Sequence, residues 1–266
     1  MSAIIWSRCE MQLSIYLIRR YAAVAASEMS KSGLGIEEYA KRTQFYIVDI
    51  PEKLLNLARG GNWATFLDAG CGDGVLLNAM ENSGLLRDKE VFAVDLSETR
   101  ISRVREINRK YRCFVEDVCD MKSIPDSSID LLASQMVIEH VASDEEMTSE
   151  LYRVLRPGGN IYLTTVFKKS FAWYRYRNNG QWVLDPTHAR EYNDDSQLID
   201  LLRKAGFEII ASIKTGIAYP LTDSLLRRIR ADQKAYSSRF LRIARRLRIP
   251  ILGYYSWEIL ASKPSN

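Results

Sequence analysis

The stretch Phe66–Leu77, FLDAGCGDGVLL, constrains the fold of this chain more than any other. Apolar residues run into Asp68, glycines follow at 70, 72 and 74, and apolar residues resume at Val75. A strand that stops at an acid, a turn that needs glycine and a helix that begins at once predict a crossover that cradles a nucleotide. The spacing narrows the kind. A dinucleotide fingerprint puts its third glycine where helix and strand pack closest, and that position here is Val75. The pattern is instead GxGxG after an acid, with Asp73 inside the loop.

From Trp63 onward, short β-rich runs alternate with helical stretches. The runs are Thr65–Ala69, Val91–Val94, Cys113–Glu116, Ile129–Ser134 and Asn160–Phe167. Among the helices, Glu98–Tyr111 sets Ile101, Val104 and Ile107 on one face, and Ser143–Leu155 opens with a capping box of Ser143 and Glu146. Such alternation predicts parallel strands joined by crossovers in an open, doubly wound α/β sheet. Ligands of such sheets sit outside the carboxyl ends of the strands, which places Asp68, Asp95, Asp117 and Gln135 along one rim. A polar, aromatic loop, Lys168–Tyr192, precedes a helix Ser196–Ala205 with Asp194 or Asp195 as cap and Gly206 as stop. Two closing strands, Phe207–Lys214 and Tyr255–Ser262, have no helix able to pack between them, so an antiparallel ending is expected. Residues 1–62 are expected to form an N-terminal helical cap, interrupted or restarted at Pro51. Residues 63–266 form the main domain, with an insertion at Gly216–Gly253.

The 266 residues, 47% hydrophobic, suffice for one large or two small domains. The four cysteines, Cys9, Cys71, Cys113 and Cys119, form no CxxC pair, and a core this large needs no disulfide framework. No run approaches the ~20 apolar residues of a spanning helix. Leu13–Ile18 ends in two arginines without a small-residue cleavage site, so a soluble, cytoplasmic protein is expected. The net charge of +4 is too small to argue for nucleic acid, but its distribution is uneven. Leu225–Arg248 holds nine basic residues and one acid, interleaved with apolar residues at helical spacing. A basic amphipathic helix of this kind fits peripheral contact with an anionic membrane, a lipid-linked ligand, or a solvated lid; nucleic acid is not expected.

The motifs DAGCGDG, AVDLS, VEDV, SQMVIEHV, LRPGGNIYLTT and HAREYNDDSQLIDLLRKAGFEII occur in the order found in class I S-adenosylmethionine-dependent methyltransferases. The chain resembles that class, and within it the methyltransferase-11-type small-molecule branch, over about Trp63–Lys214. The resemblance implies a Rossmann-like sheet, mostly parallel with an antiparallel last strand, and S-adenosyl-L-methionine as cofactor. Asp68 would take its ammonium. Gly70, Cys71, Gly72, Asp73 and Gly74 would seat the methionine end, although Asp73 also suits the helix start and the Cys71 thiol has no visible activating partner. Asp95 would accept the ribose hydroxyls, Leu96 would pack on the adenine, and Asp117 with Val118 would meet the adenine amino group, with Glu116 as the alternative acid. Gln135 and Met136 would flank the reaction centre. In the N-terminal cap, Arg42 suits the cofactor carboxylate.

A hydroxyl acceptor must lose a proton, and the two histidines, His140 and His188, fall where the class builds its acceptor pocket. His188 is the preferred base, the competing reading being a structural pair with Asp185 or Glu191. For His140 the competing reading is a loop-holding hydrogen bond. Trp182, Arg190 and Tyr192 would line the mouth. No metal set is expected, because Asp117, Asp185 and His188 are scattered. The reading is therefore methyl transfer to a small or lipid-linked acceptor, a sugar, quinone-like lipid or secondary metabolite, by O-methylation. A nicotinamide-dependent oxidoreductase and a non-catalytic cofactor-binding scaffold are the rivals.

Overall fold

The computed structural model describes residues 40, 49–174, 176–178, 180–220 and 248–265. Their elements in chain order are α1 (Glu52–Gly60), β1 (Thr65–Ala69), α2 (Val75–Asn82), β2 (Glu90–Asp95), α3 (Glu98–Ile107), β3 (Arg112–Val115), β4 (Ile129–Gln135), α4 (Asp144–Val154), β5 (Leu155–Lys168), β6 (Tyr176–Asn178), β7 (Gln181–Val183), α5 (Asp195–Ala205), β8 (Glu208–Pro220) and β9 (Arg248–Ser262). Seven strands form one sheet in the order β3-β2-β1-β4-β5-β9-β8, and β6 with β7 forms a separate hairpin. Strands β1 to β5 pair in parallel, while β9 runs antiparallel to both neighbours, β5 and β8. The last strand of the chain thus lies one place in from the edge. This is the mostly parallel, doubly wound sheet that the alternation of strand and helix predicts.

Successive residues of the central strands serve opposite faces, because side chains in a strand alternate. Phe66 of β1 joins Leu76, Leu77 and Met80 of α2 and Ile101 and Val104 of α3. Leu67, its neighbour, joins Met147 and Leu151 of α4 and Leu198 and Leu202 of α5 on the other side. Both layers are well buried: Phe66, Leu67, Leu77, Ile101 and Leu151 are wholly excluded from solvent. The helix starts are stabilised locally. The Ser143 hydroxyl accepts the Glu146 N–H at 3.1 Å, and Asp194 with Gln197 completes a reciprocal capping box at α5. Gly206 ends α5 in the left-handed region, as its position after Ala205 predicts.

Three expectations shift. The third strand stops at Val115, so Asp117 lies in the turn beyond it rather than at a strand end. The fifth strand begins at Leu155 and carries Pro157-Gly158-Gly159 within it. The closing strands are longer than their apolar runs suggest, and Pro220 still pairs with Arg248. Gly216 does not end β8; a register shift between Gly216 and Ala218 absorbs it, and the ends of the expected insertion become a hairpin. Its centre, 221–247, lies outside the described residues, as does the expected N-terminal cap apart from Ala40 and residues 49–62. The described end of that cap is α1, with Pro51 at its N-cap and Leu54 buried against the sheet.

Candidate active site

Asp68 sits near the carboxyl end of β1, between two strands that bury it to 3% exposure. Among the described residues its Oδ2 has no hydrogen-bond partner. Burial, with the Asp95 charge second, pushes its carboxyl up to about 7. A buried acid with an unused oxygen is costly unless a cation joins it, and an ammonium does so. The glycine loop passes beside it. A Cβ on Gly70, at φ 80°, would lie 2.4 Å from a Val137 methyl, so bare backbone is what lets β1's turn and the segment after β4 close together. Gly72, at φ 53°, differs: among the described residues only the Arg100 guanidinium comes within reach of an added Cβ, at 4.0 Å. That is open space of the kind a ligand occupies.

The loop's N–H groups are largely committed. Those of Gly70 and Cys71 donate to the Val94 carbonyl, that of Gly72 to Asp95 Oδ2 at 2.9 Å, and that of Gly74 to the Cys71 carbonyl. The glycines therefore supply close approach more than donors. Asp95 ends β2 and also accepts the Ser97 N–H, with the Arg100 guanidinium 3.6 Å away. Each of its oxygens keeps acceptor capacity for a diol. Leu96 next to it is 48% exposed, an apolar side chain held open at the rim, as a ring face requires. Asp73 pairs with Arg103 at 2.5 Å, and burial raises the Cys71 thiol well above its usual range, which leaves it unreactive. Asp117 is exposed and caps its own turn through Cys119, while the neighbouring Val118 is buried. The donor set as a whole fits a ligand with one ammonium, one diol and one flat ring. Arg42 lies outside the described residues.

At the end of β4, Gln135 is half-buried and Met136 takes a positive φ of 56°, unusual for a residue with a side chain. The turn brings Glu139 and His140 against the segment carrying His188. One ligand atom from each of these three residues lies within 4.8 Å of the others, and the two imidazole rings meet edge to face with centroids 4.8 Å apart. His188 is buried, and its Nδ1 lies 2.8 Å from Glu191, which selects Glu191 over Asp185 as its partner. His140 is exposed. Its Nδ1 faces the Thr187 carbonyl at 3.3 Å and the Thr187 hydroxyl at 3.2 Å, and that hydroxyl gives its own proton to Asp185. Both partners accept, so the network assigns the proton to Nδ1 and the lone pair to Nε2. Desolvation, with the neighbouring His188 second, lowers the His140 pKa and keeps the ring neutral near pH 7. Glu139 is completely buried; Thr165 donates to its Oε2 at 2.9 Å, and burial pushes it up to about 7.

The remaining expected acceptor residues divide. Trp182 stands half-buried in the β6–β7 hairpin, against Trp173 and beneath the Arg177 guanidinium. Arg190 is corrected: its guanidinium donates to the carbonyls of Ile138, Val141 and Ala142 and so clamps the turn that carries His140. Tyr192 is corrected as well, being 4% exposed with its hydroxyl on Asp144. Both build the wall behind the histidines. Glu139 lies in the SQMVIEHV motif, and its place after a strand and next to a histidine is the sequence signal for it. A cavity of about 330 Å³ between Trp63, Asp130 and Pro157 opens at the amino ends of β1 and β4, away from this rim.

Comparison with known proteins agrees with this geometry. Residues 67–163 match the family described as "Methyltransferase domain", of the methyltransferase-11 type. A "Probable S-adenosylmethionine-dependent methyltransferase" from Mycolicibacterium smegmatis is 32% identical over 145 residues, covering 54% of this chain and 51% of that protein. Malonyl-[acyl-carrier protein] O-methyltransferase from Salmonella typhimurium is 30% identical over 154 residues, 57% of this chain and 58% of that one. The chain thus spans little more than half the length of these relatives. Geranyl diphosphate methyltransferase, solved with S-adenosylmethionine, has the same fold with a TM-score of 0.53 at 18% identity, over 79% of this chain and 82% of that one. With its sheet order, its acid-and-glycine loop and the family match, the chain carries over residues 67–163 a methyltransferase domain similar to those of S-adenosylmethionine-dependent methyltransferases.

Proposed function

We propose that this protein transfers the methyl group of S-adenosylmethionine to a hydroxyl of a small or lipid-linked acceptor, with His140 as the base. The observation that carries the reading is the placing of an exposed, neutral His140, lone pair on Nε2, on the turn that packs against Gly70 of the donor loop. Bound, the cofactor supplies an electrophilic methyl on a sulfonium. Asp68 holds the ammonium, Asp95 the ribose hydroxyls, and Leu96 covers the adenine. Charge disperses in such a displacement, so alignment of donor and acceptor and exclusion of water are the protein's main contributions. His140 takes the hydroxyl proton as the oxygen attacks; Thr187 fixes its tautomer. His188, buried and tied to Glu191, is better suited to orient this turn than to reach an acceptor. The O-methyltransferase among the relatives supports oxygen as the acceptor atom.

A lipid-linked acceptor is supported by the surface beside the site. Phe171, Trp173 and Leu252 are 66%, 40% and 66% exposed, and the Trp173 N–H donates to the Leu252 carbonyl, so these apolar groups adjoin. Leu252 stands four residues from Arg248, where the basic segment Leu225–Arg248 ends. Exposed aromatic groups with a basic segment are the two signals that hold a protein on an anionic bilayer. Methyl-labelled S-adenosylmethionine incubated with the protein and a cell extract, followed by mass identification of the labelled product, tests the acceptor. A labelled ether is expected; label on nitrogen or carbon would overturn the hydroxyl reading. Flotation with anionic vesicles tests the surface, and no binding at moderate salt would remove it.

A further inference from the structure

We propose that Glu139, His140 and His188 form a binding site for one divalent transition-metal ion of the zinc class. Two imidazole nitrogens and one carboxylate are the ligand set that zinc takes when it keeps an open fourth position. Three observations carry the proposal. First, the ligand atoms already converge to within 4.8 Å of one another. A tetrahedral shell with bonds of ~2.1 Å would draw them to about 3.4 Å apart, a contraction on the order of an ångström. Second, each ligand has an outer partner that fixes its orientation. Glu191 accepts from His188 Nδ1, the Thr187 carbonyl accepts from His140 Nδ1, and Thr165 donates to Glu139 Oε2. Carboxylate or carbonyl on Nδ1 leaves Nε2 as the coordinating nitrogen of each ring, the usual arrangement around bound metals. Third, Glu139 Oε1 is buried and, among the described residues, has no hydrogen-bond partner. A buried carboxylate oxygen without a donor among the described residues, beside two imidazole nitrogens, is satisfied by a cation that the three groups share.

No bond in the protein changes on binding: each nitrogen and the carboxylate contribute an electron pair, and any proton on Glu139 leaves to solvent. The ion would occupy the His140 lone pair on which proton removal depends, so the metal-free protein is the form that the proposed base mechanism describes. Binding itself stands on geometry and is independent of that mechanism. Calorimetric titration of the full chain with zinc chloride tests it, together with cobalt(II) absorption. One ion per chain is expected, with visible cobalt bands that lack thiolate charge transfer, and with affinity at least about tenfold weaker in His140→Asn. His140 is exposed, so that variant keeps its fold, and circular dichroism checks this. No binding at micromolar zinc, thiolate bands from the cysteines, or equal affinity in His140→Asn would overturn the proposal.

Discussion

Two ionisable side chains determine how this site should respond to pH, and they act in different steps. Burial raises Asp68 to about 7, so the carboxyl of the cofactor-free protein gains its charge only as pH passes neutrality. An ammonium selects the ionised form. Cofactor affinity should therefore rise with pH, by up to about tenfold per unit below 7, and level off above it. The sign for stability is opposite: a carboxyl with a raised pKa contributes stability at low pH that is lost as pH climbs from about 4 through about 7. Asp68→Asn should flatten the affinity profile and weaken binding at pH 8 by about 2–4 kcal/mol, roughly 30- to 700-fold in Kd. His140 has the reverse shift, downward, so turnover at saturating cofactor should lose activity only below the ordinary histidine range. His140→Gln should lower kcat by about 100- to 10,000-fold with cofactor affinity nearly unchanged. Equal loss in cofactor Kd would make His140 a structural residue.

Between strand and helix, the glycine loop separates two jobs that its three glycines appear to share when only the motif is read. Gly70 is a packing glycine: alanine there adds left-handed strain of ~1 kcal/mol and an overlap with Val137 of about 1–3 kcal/mol. Gly72 borders open space, so alanine should cost ~1 kcal/mol of stability yet fill ground the cofactor needs. Thermal unfolding and cofactor titration of both variants distinguish them. Gly70→Ala should mainly lower Tm, and Gly72→Ala should mainly raise Kd. The loop, Asp68 and Asp95 were legible in the sequence because strand, acid and glycine are local signals, whereas Asp117 falls in a turn beyond its strand. The direction of the loop amides was not, since Val94 and Asp95 capture them from the next strand. The lengths of β8 and β9 were hidden for a similar reason: glycines at 216 and 253 look like strand ends until a partner strand pairs across them.

At the scale of the whole molecule, the seven-stranded sheet brings two halves of a site together at one rim, and sequence distance decides which half could be foreseen. Asp68 to Asp95 spans a single crossover, whereas Glu139 and His140 meet His188 only after β5 and the β6–β7 hairpin have returned the chain. Spacing rules could not group those three or reveal that Arg190 and Tyr192 would be used to hold the wall. The central claim is that this rim seats S-adenosylmethionine and not a nicotinamide dinucleotide. Calorimetric titration of the purified protein with each cofactor tests it most directly. The account predicts one S-adenosylmethionine site per chain, lost or greatly weakened in Asp68→Asn, and no saturable nicotinamide binding. Tight nicotinamide binding with no heat from S-adenosylmethionine would contradict it.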